Sequence, residues 1–197
     1  MNNSSKLPIV IAAMFVFLIG ACRADDSAPV IEYRVTMPKE MKKTLEEYYP
    51  DFKVWDQSDF APVIINDIYV FSAKQTPSTV IADFNGDGVK DIALFGYDNT
   101  HMRVICIMSN GIAFRAFEIV SYELKETGHP LISSKPETMY SGVNTYLIYS
   151  SPGIVDSPHE ETSLVLKTDA FEIVHFECSS RMIYFQDETF HEYWTAD

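Results

Sequence analysis

Thr79-Val80-Ile81-Ala82-Asp83-Phe84-Asn85-Gly86-Asp87-Gly88-Val89-Lys90-Asp91-Ile92-Ala93-Leu94-Phe95-Gly96 is an acidic, glycine-containing run framed by two β-rich flanks. Side-chain oxygens fall at alternate positions, Asp83, Asn85 and Asp87; Val89 continues the series with its backbone carbonyl, and Asp91 closes it. A backbone that curls around an ion delivers oxygens at this spacing, and Gly86 and Gly88 stand where it must turn through conformations costly for other residues. The three aspartates give a ligand charge of −3, with no His or Cys in the series. Such a set suits a hard divalent cation, calcium, and is a poor match for zinc or copper. The metal-free alternative is a turn held by Asx hydrogen bonds.

The spacing begins like an EF-hand loop and then departs from it. The twelfth position is Leu94 where an EF-hand needs Glu, and the flanks read as strands where it needs helices. From Ile81 to Ala93 the sequence resembles instead the calcium loop of FG-GAP/VCBS-type repeats. That resemblance implies a loop between two antiparallel strands, with calcium on Asp83, Asn85, Asp87, the Val89 carbonyl and Asp91. It implies structural use of the ion rather than catalysis. It covers the loop and its flanks and says little about the remaining chain. Propellers need several blades, and no second copy of the loop is present, so a closed propeller is not expected. The whole pattern more nearly resembles small bacterial lipoproteins that carry a single such loop.

Working outward, the chain reads as short β-rich pieces between turn residues. The expected strands are Ile31 to Val35, Phe52 to Trp55, Ile68 to Ser72, Ser78 to Ala82, Asp91 to Tyr97, Arg103 to Ser109 and Ile112 to Ser121. Later ones are Thr145 to Ser150, Ser163 to Thr168, Phe171 to Glu177, Arg181 to Gln186 and Thr189 to Thr195. Asn110-Gly111 and Thr168-Asp169 read as tight hairpin connections, and residues 125–142 and 151–161 as loops. Met37, Met41, Leu45 and Tyr48 share one helical face, with Thr36 as N-cap and Pro50 as the stop. The expected fold is α+β, mostly β: one N-terminal helix packed on an antiparallel sheet of hairpins, in a single domain over residues 31–197.

Residues 7–21 are almost wholly apolar and follow Lys6, as in an export signal. Their ending, Leu18-Ile19-Gly20-Ala21-Cys22, resembles a bacterial lipobox, which implies removal of residues 1–21, lipidation of Cys22 and a tether over 22–30. The expected location is the cell envelope, as a periplasm-facing lipoprotein of the outer membrane. Plain secretion after cleavage at Ala24 is the alternative. Removing the leader takes away one lysine and no acid, leaving 14 basic against 28 acidic residues and a net charge of −14. That balance excludes nucleic acid as a partner and disfavours anionic lipid surfaces.

An oxidising compartment permits a disulfide between Cys106 and Cys178; each can equally be a small buried hydrophobe. The five histidines, His101, His129, His159, His175 and His191, form no metal or catalytic motif, and His175 reads as structural. No Gly-x-Ser-x-Gly, P-loop or dinucleotide fingerprint is present, so no catalytic residues are assigned. The C-terminal aromatics, Phe171 to Trp194, read as sheet core, with a protein- or glycan-binding surface as the alternative. The expectation is a non-enzymatic binding module with structural calcium. An acidic inhibitor of a basic envelope enzyme and a calcium-dependent hydrolase are the alternatives.

Overall fold

In Thr79–Ala82 and Asp91–Tyr97, successive side chains point to opposite faces, and nearly all are buried. Val80, Ala82, Ala93 and Phe95 enter one core, while Ile92 and Leu94 enter another. Strands apolar on both faces must be covered on both, and that requirement sets the layers. The structure, a computed structural model, describes residues 33–124, 132–133, 141–158 and 161–196, all within one unit, Glu32–Asp197. The leader 1–21, Cys22, the rest of the tether and Ile31 lie outside the described residues.

The first sheet contains β1 (Lys53–Val54), β2 (Gln75–Thr76), β3 (Thr79–Ala82), β4 (Asp91–Tyr97), β5 (His101–Ser109) and β6 (Phe114–Glu123). Its order is β2-β3-β4-β5-β6, all antiparallel, with β1 paired to the end of β4. That pairing requires Gly96, where a Cβ would lie 2.1 Å from the Lys53 carbonyl oxygen. A minimal ladder follows, β7 (Ile132–Ser133) with β8 (Gly142–Val143). The last strands are β9 (Thr145–Ser150), β10 (Gly153–Val155), β11 (Leu164–Leu166), β12 (Ala170–His175), β13 (Ser179–Gln186) and β14 (Thr189–Ala196). The second sheet runs β9-β12-β13-β14, and β10 and β11 pair as a separate hairpin.

The two sheets enclose the main core, in which Phe84, Val104 and Cys106 share one cluster with Tyr146, Phe171, Ile173 and Ile183. The other face of the first sheet is covered by α1 (Lys39–Tyr48), which buries Met41 and Leu45 among Ile92, Leu94, Ile105 and Ile107. Each such side chain contributes about 1.5–3 kcal/mol when fully buried. The other face of the second sheet carries Met182 and Tyr193 beneath Val155, Leu164 and Leu166. The chain is mostly β, with antiparallel sheets that do not close on themselves.

Several expectations are corrected. Tyr33–Val35 is not a strand, and Pro38 rather than Thr36 occupies the N-cap, where its carbonyl accepts the Lys42 N–H at 3.0 Å. Helix is not confined to α1: a π-helical turn spans Ile64–Ile68 where a strand from Ile68 was expected. Ala61, Val63 and Ile64 must all be buried, which suits a helical turn better than a strand. Tyr69 then turns inward and its hydroxyl donates to the Leu147 carbonyl at 2.8 Å. Thr168-Asp169 is no hairpin turn, because β11 pairs with β10 and β12 with β9 and β13. The supposed loops hold β7, β8 and β10, strands too short to show alternation.

Candidate functional site

The register Ala82↔Asp91 makes residues 83–90 the connection between two antiparallel neighbours. The loop curls around its own carboxylates. Asp83 accepts the Gly86 N–H at 2.8 Å and the Asp87 N–H at 3.1 Å on one oxygen, and the Gly88 N–H at 2.9 Å on the other. Asn85 Oδ1 accepts the Asp87 N–H at 3.1 Å, and Asp87 Oδ1 accepts the Val89 N–H at 2.8 Å. Gly86 and Gly88 have φ of 77° and 84°, which glycine adopts without a Cβ penalty.

Asp91 differs from the other three. It is fully buried, and its two oxygens accept the Phe84 N–H at 2.9 Å and the Ser109 N–H at 2.8 Å. Burial, opposed by the Ser109 and Phe84 amides and reinforced by the charges of Asp87 and Asp83, leaves its carboxyl pushed up to about 6. Asn85 ties the loop to the same strand end by donating to the Ser109 carbonyl at 2.6 Å.

A second segment grips the loop from across the core. Asp169 accepts the Asp83 N–H at 3.1 Å on one oxygen and the Tyr149 hydroxyl at 2.8 Å on the other. Lys90 lies 3.7 Å from Asp169, and Lys74 sits over the Tyr149 ring. The Thr168 hydroxyl donates to the Phe84 carbonyl at 2.7 Å. Beneath the loop, Phe84 is fully buried against Phe171 and Phe190 of the second sheet, at ring distances of 5.3 and 6.5 Å. Burial pushes the Asp169 carboxyl up, but the Asp83 amide, Tyr149 and the two lysines outweigh it and leave it below the usual range.

The donors are all oxygen, the set a hard cation requires. Among the described residues no lysine, arginine or histidine pairs with Asp83, Asp87 or Asp91. Nor do three acidic, His or Cys side chains among them converge as a preassembled cluster. Each carboxylate is instead turned onto backbone amides: every Asp91 oxygen accepts one N–H, and Asp83 Oδ1 accepts two. Asp83, Asn85, Asp87 and Asp91 would thus meet a cation only through the lone pairs these backbone hydrogen bonds leave, or by giving some of them up.

Cys106 and Cys178, for which a disulfide was one of two open readings, are not joined in this structure. Both are free, Cys106 buried in β5 opposite Ala93 and Phe117, Cys178 exposed on the turn after β12. Burial, then the Asp91 charge, pushes the Cys106 thiol well up. His175 contacts the Thr145 hydroxyl at 2.8 Å, a structural role. His101 and His191 contact Thr100 and Gln186, while His129 and His159 lie outside the described residues. Of the C-terminal aromatics, Phe171 and Tyr193 are buried and Phe185 and Phe190 pack on the main core, but Trp194 is exposed.

Sequence reasoning missed Thr168, Asp169, Tyr149 and Ser109, because none lies near the loop in the chain. No protein-family model, no curated protein and no solved structure matches this chain. Among the described residues no helix is long and apolar enough to cross a membrane.

Proposed function

We propose that this protein is a non-enzymatic binding module of the bacterial cell envelope, tethered by a lipid on Cys22, with a structural calcium ion in its Asp83–Asp91 loop. Calcium is held by Asp83, Asn85, Asp87 and the Val89 carbonyl, with Asp91 completing the set through its remaining lone pairs. The observation that carries the reading is the nested loop itself. Two carboxylates and an amide are already turned inward onto backbone N–H groups, with no cationic side chain among the described residues to neutralise them. A bound cation supplies the missing positive charge. Because the loop is gripped by Thr168 and Asp169, the ion also stiffens the joint between the sheets. The non-enzymatic part rests on the sequence, which carries none of the catalytic motifs sought.

Calcium titrated into the full chain tests the reading. At a hundred times the dissociation constant it stabilises by about 2.7 kcal/mol, which raises Tm by about 5 to 10 °C for a domain of this size. Asp87→Ala removes the rise while leaving the metal-free Tm nearly unchanged, since Asp87 is exposed and accepts only within the loop. No shift at millimolar calcium overturns the metal; labelling of Cys22 by a fatty-acid probe in cells tests the tether separately.

A further inference from the structure

A groove of about 460 Å³ runs between α1 and the β5–β6 turn and ends at Val89 of the acidic loop. One helical face supplies Glu40, Thr44 and Glu47, at the spacing that brings side chains into line along a helix. The turn opposite supplies Ile112, which is 96% exposed, and Val89, 39% exposed, closes the end. Two of the large apolar side chains that the fold leaves in water thus meet in one groove. Scattered exposed apolar residues need no explanation; here two of them line the same groove, with polar and charged groups around them.

The charge of the rim says what fits. Among the described residues neither Glu40 nor Glu47 makes an ion pair, and Lys43 is the groove's one cation. Asp83 and Asp87 stand in the same loop as Val89, and the whole chain is strongly acidic. A second copy of this chain brings the same negative charge and is repelled. We propose that this groove docks a basic segment of a protein partner, one that presents an aliphatic side chain beside lysine or arginine. The aliphatic group covers Ile112 and Val89, and the cations meet Glu40 and Glu47. This inference rests on the reading of the protein as a binding module, and it is independent of calcium.

The test is fluorescence anisotropy of a short labelled peptide of alternating lysine and leucine, titrated with the full chain at low salt. Matched peptides of lysine with glycine and of glutamate with leucine are run beside it. The lysine–leucine peptide binds most tightly, the lysine–glycine peptide more weakly, and the glutamate–leucine peptide not at all. Glu40→Lys with Glu47→Lys weakens binding by about tenfold or more, since like charges then face each other. Ile112→Ser weakens it by about threefold, the scale of one exposed aliphatic contact. Glu123→Lys with Glu161→Lys, the same change of net charge outside the groove, leaves affinity within about twofold.

All five sites are exposed, so folding is not at stake. Equal loss in the control pair, equal binding of the lysine–glycine peptide, or no binding to any peptide overturns the proposal. A calcium-induced rise in Tm in a wild-type chain that binds none of the peptides confines the failure to this inference and leaves the calcium reading standing.

Discussion

The molecule contains two four-stranded antiparallel meanders, β3-β4-β5-β6 and β9-β12-β13-β14, whose first strands lie close together: the Leu147 N–H reaches the Pro77 carbonyl at 2.9 Å. They differ most at the joint between first and second strands. In the first meander that joint is residues 83–90, a tight loop folded on its own carboxylates. In the second it is residues 151–169, which lay the β10–β11 hairpin over the outer face and return as Thr168-Asp169. The short joint gathers charge, and the long one brings the residues that hold it. Neither is complete alone, so a local event at the acidic loop is felt by both sheets.

The two joints meet most closely at Phe84, which belongs to the short joint but is buried against rings of the second sheet. Phe84→Ala is expected to cost about 3–5 kcal/mol by opening a cavity between the meanders. Denaturant unfolding followed by Trp55 and Trp194, one near each meander, checks it. If only the Trp55 transition moves, the two meanders are not coupled through this ring.

Asp169→Ala comes next. It removes acceptors for the Asp83 N–H and the Tyr149 hydroxyl together with the Lys90 pair. A loss of about 2 kcal/mol is expected, the scale for charge-assisted hydrogen bonds. The loss is the same with and without calcium if the clamp is independent of the ion. Asp87→Ala, by contrast, acts only in calcium. Urea midpoints of both variants, each with calcium and with chelator, separate the clamp from the ion.

The second joint of the first meander is held by a charge network of its own. In the β4–β5 turn, Asp98 accepts from the Thr100 and His101 amides and from Arg103 Nε, each within 2.8 Å. Burial pushes its carboxyl up, but the Arg103 guanidinium and these donors outweigh that and hold it well below the usual carboxylate range. Its folded value is depressed, so its contribution is present above the unfolded value of about 3.9 and is lost as pH falls below it. Unfolding midpoints of the wild type should therefore fall more steeply below about pH 4 than those of Asp98→Asn. Parallel pH profiles would show that this network does not stabilise the first meander.

Legibility in the sequence followed the range of the forces involved. The strand Asp91–Tyr97 was readable to the residue because a short continuous apolar run follows the acidic loop directly. The loop was readable because its ligand series and its glycines are local. Thr168-Asp169 was misread because turn chemistry is local while its partners, Phe84 and Asp83, lie 84 and 86 residues away. Ile68 to Ser72 was misread because β-branched and aromatic residues suit a buried helical turn as well as a strand, and only the packing of Ile64 and Tyr69 decides. The choice between a Cys106–Cys178 bridge and two separate thiols stayed open because sequence carries no depth: one is in the core and the other in solvent.

The third joints offer the smallest and cleanest comparison. In the first meander Asn110-Gly111 begins the β5–β6 turn, with Gly111 at φ 82° and the Asn110 side chain accepting the Ile112 and Ala113 amides. In the second, Asp187-Glu188 forms a two-residue turn between Gln186 and Thr189, with φ of 51° and 64°. Both central residues of such a turn must take positive φ, which asparagine and glycine tolerate and glutamate does not. Glu188→Gly removes that strain at the cost of extra freedom in the unfolded chain, a net gain of about 0.5–1 kcal/mol. The reverse change, Gly111→Glu, destabilises by about 1 kcal/mol, because the Cβ penalty is introduced while nothing within 4 Å obstructs the side chain. Glu188→Gln and Gly111→Gln carry a Cβ without the charge, so a Glu188→Gln midpoint near that of the wild type, beside a Gly111→Gln loss equal to that of Gly111→Glu, would show that backbone conformation, and not surface charge, sets the stability of these turns. If Glu188→Gln gains as much as Glu188→Gly, the turn of the second meander responds to charge relief instead.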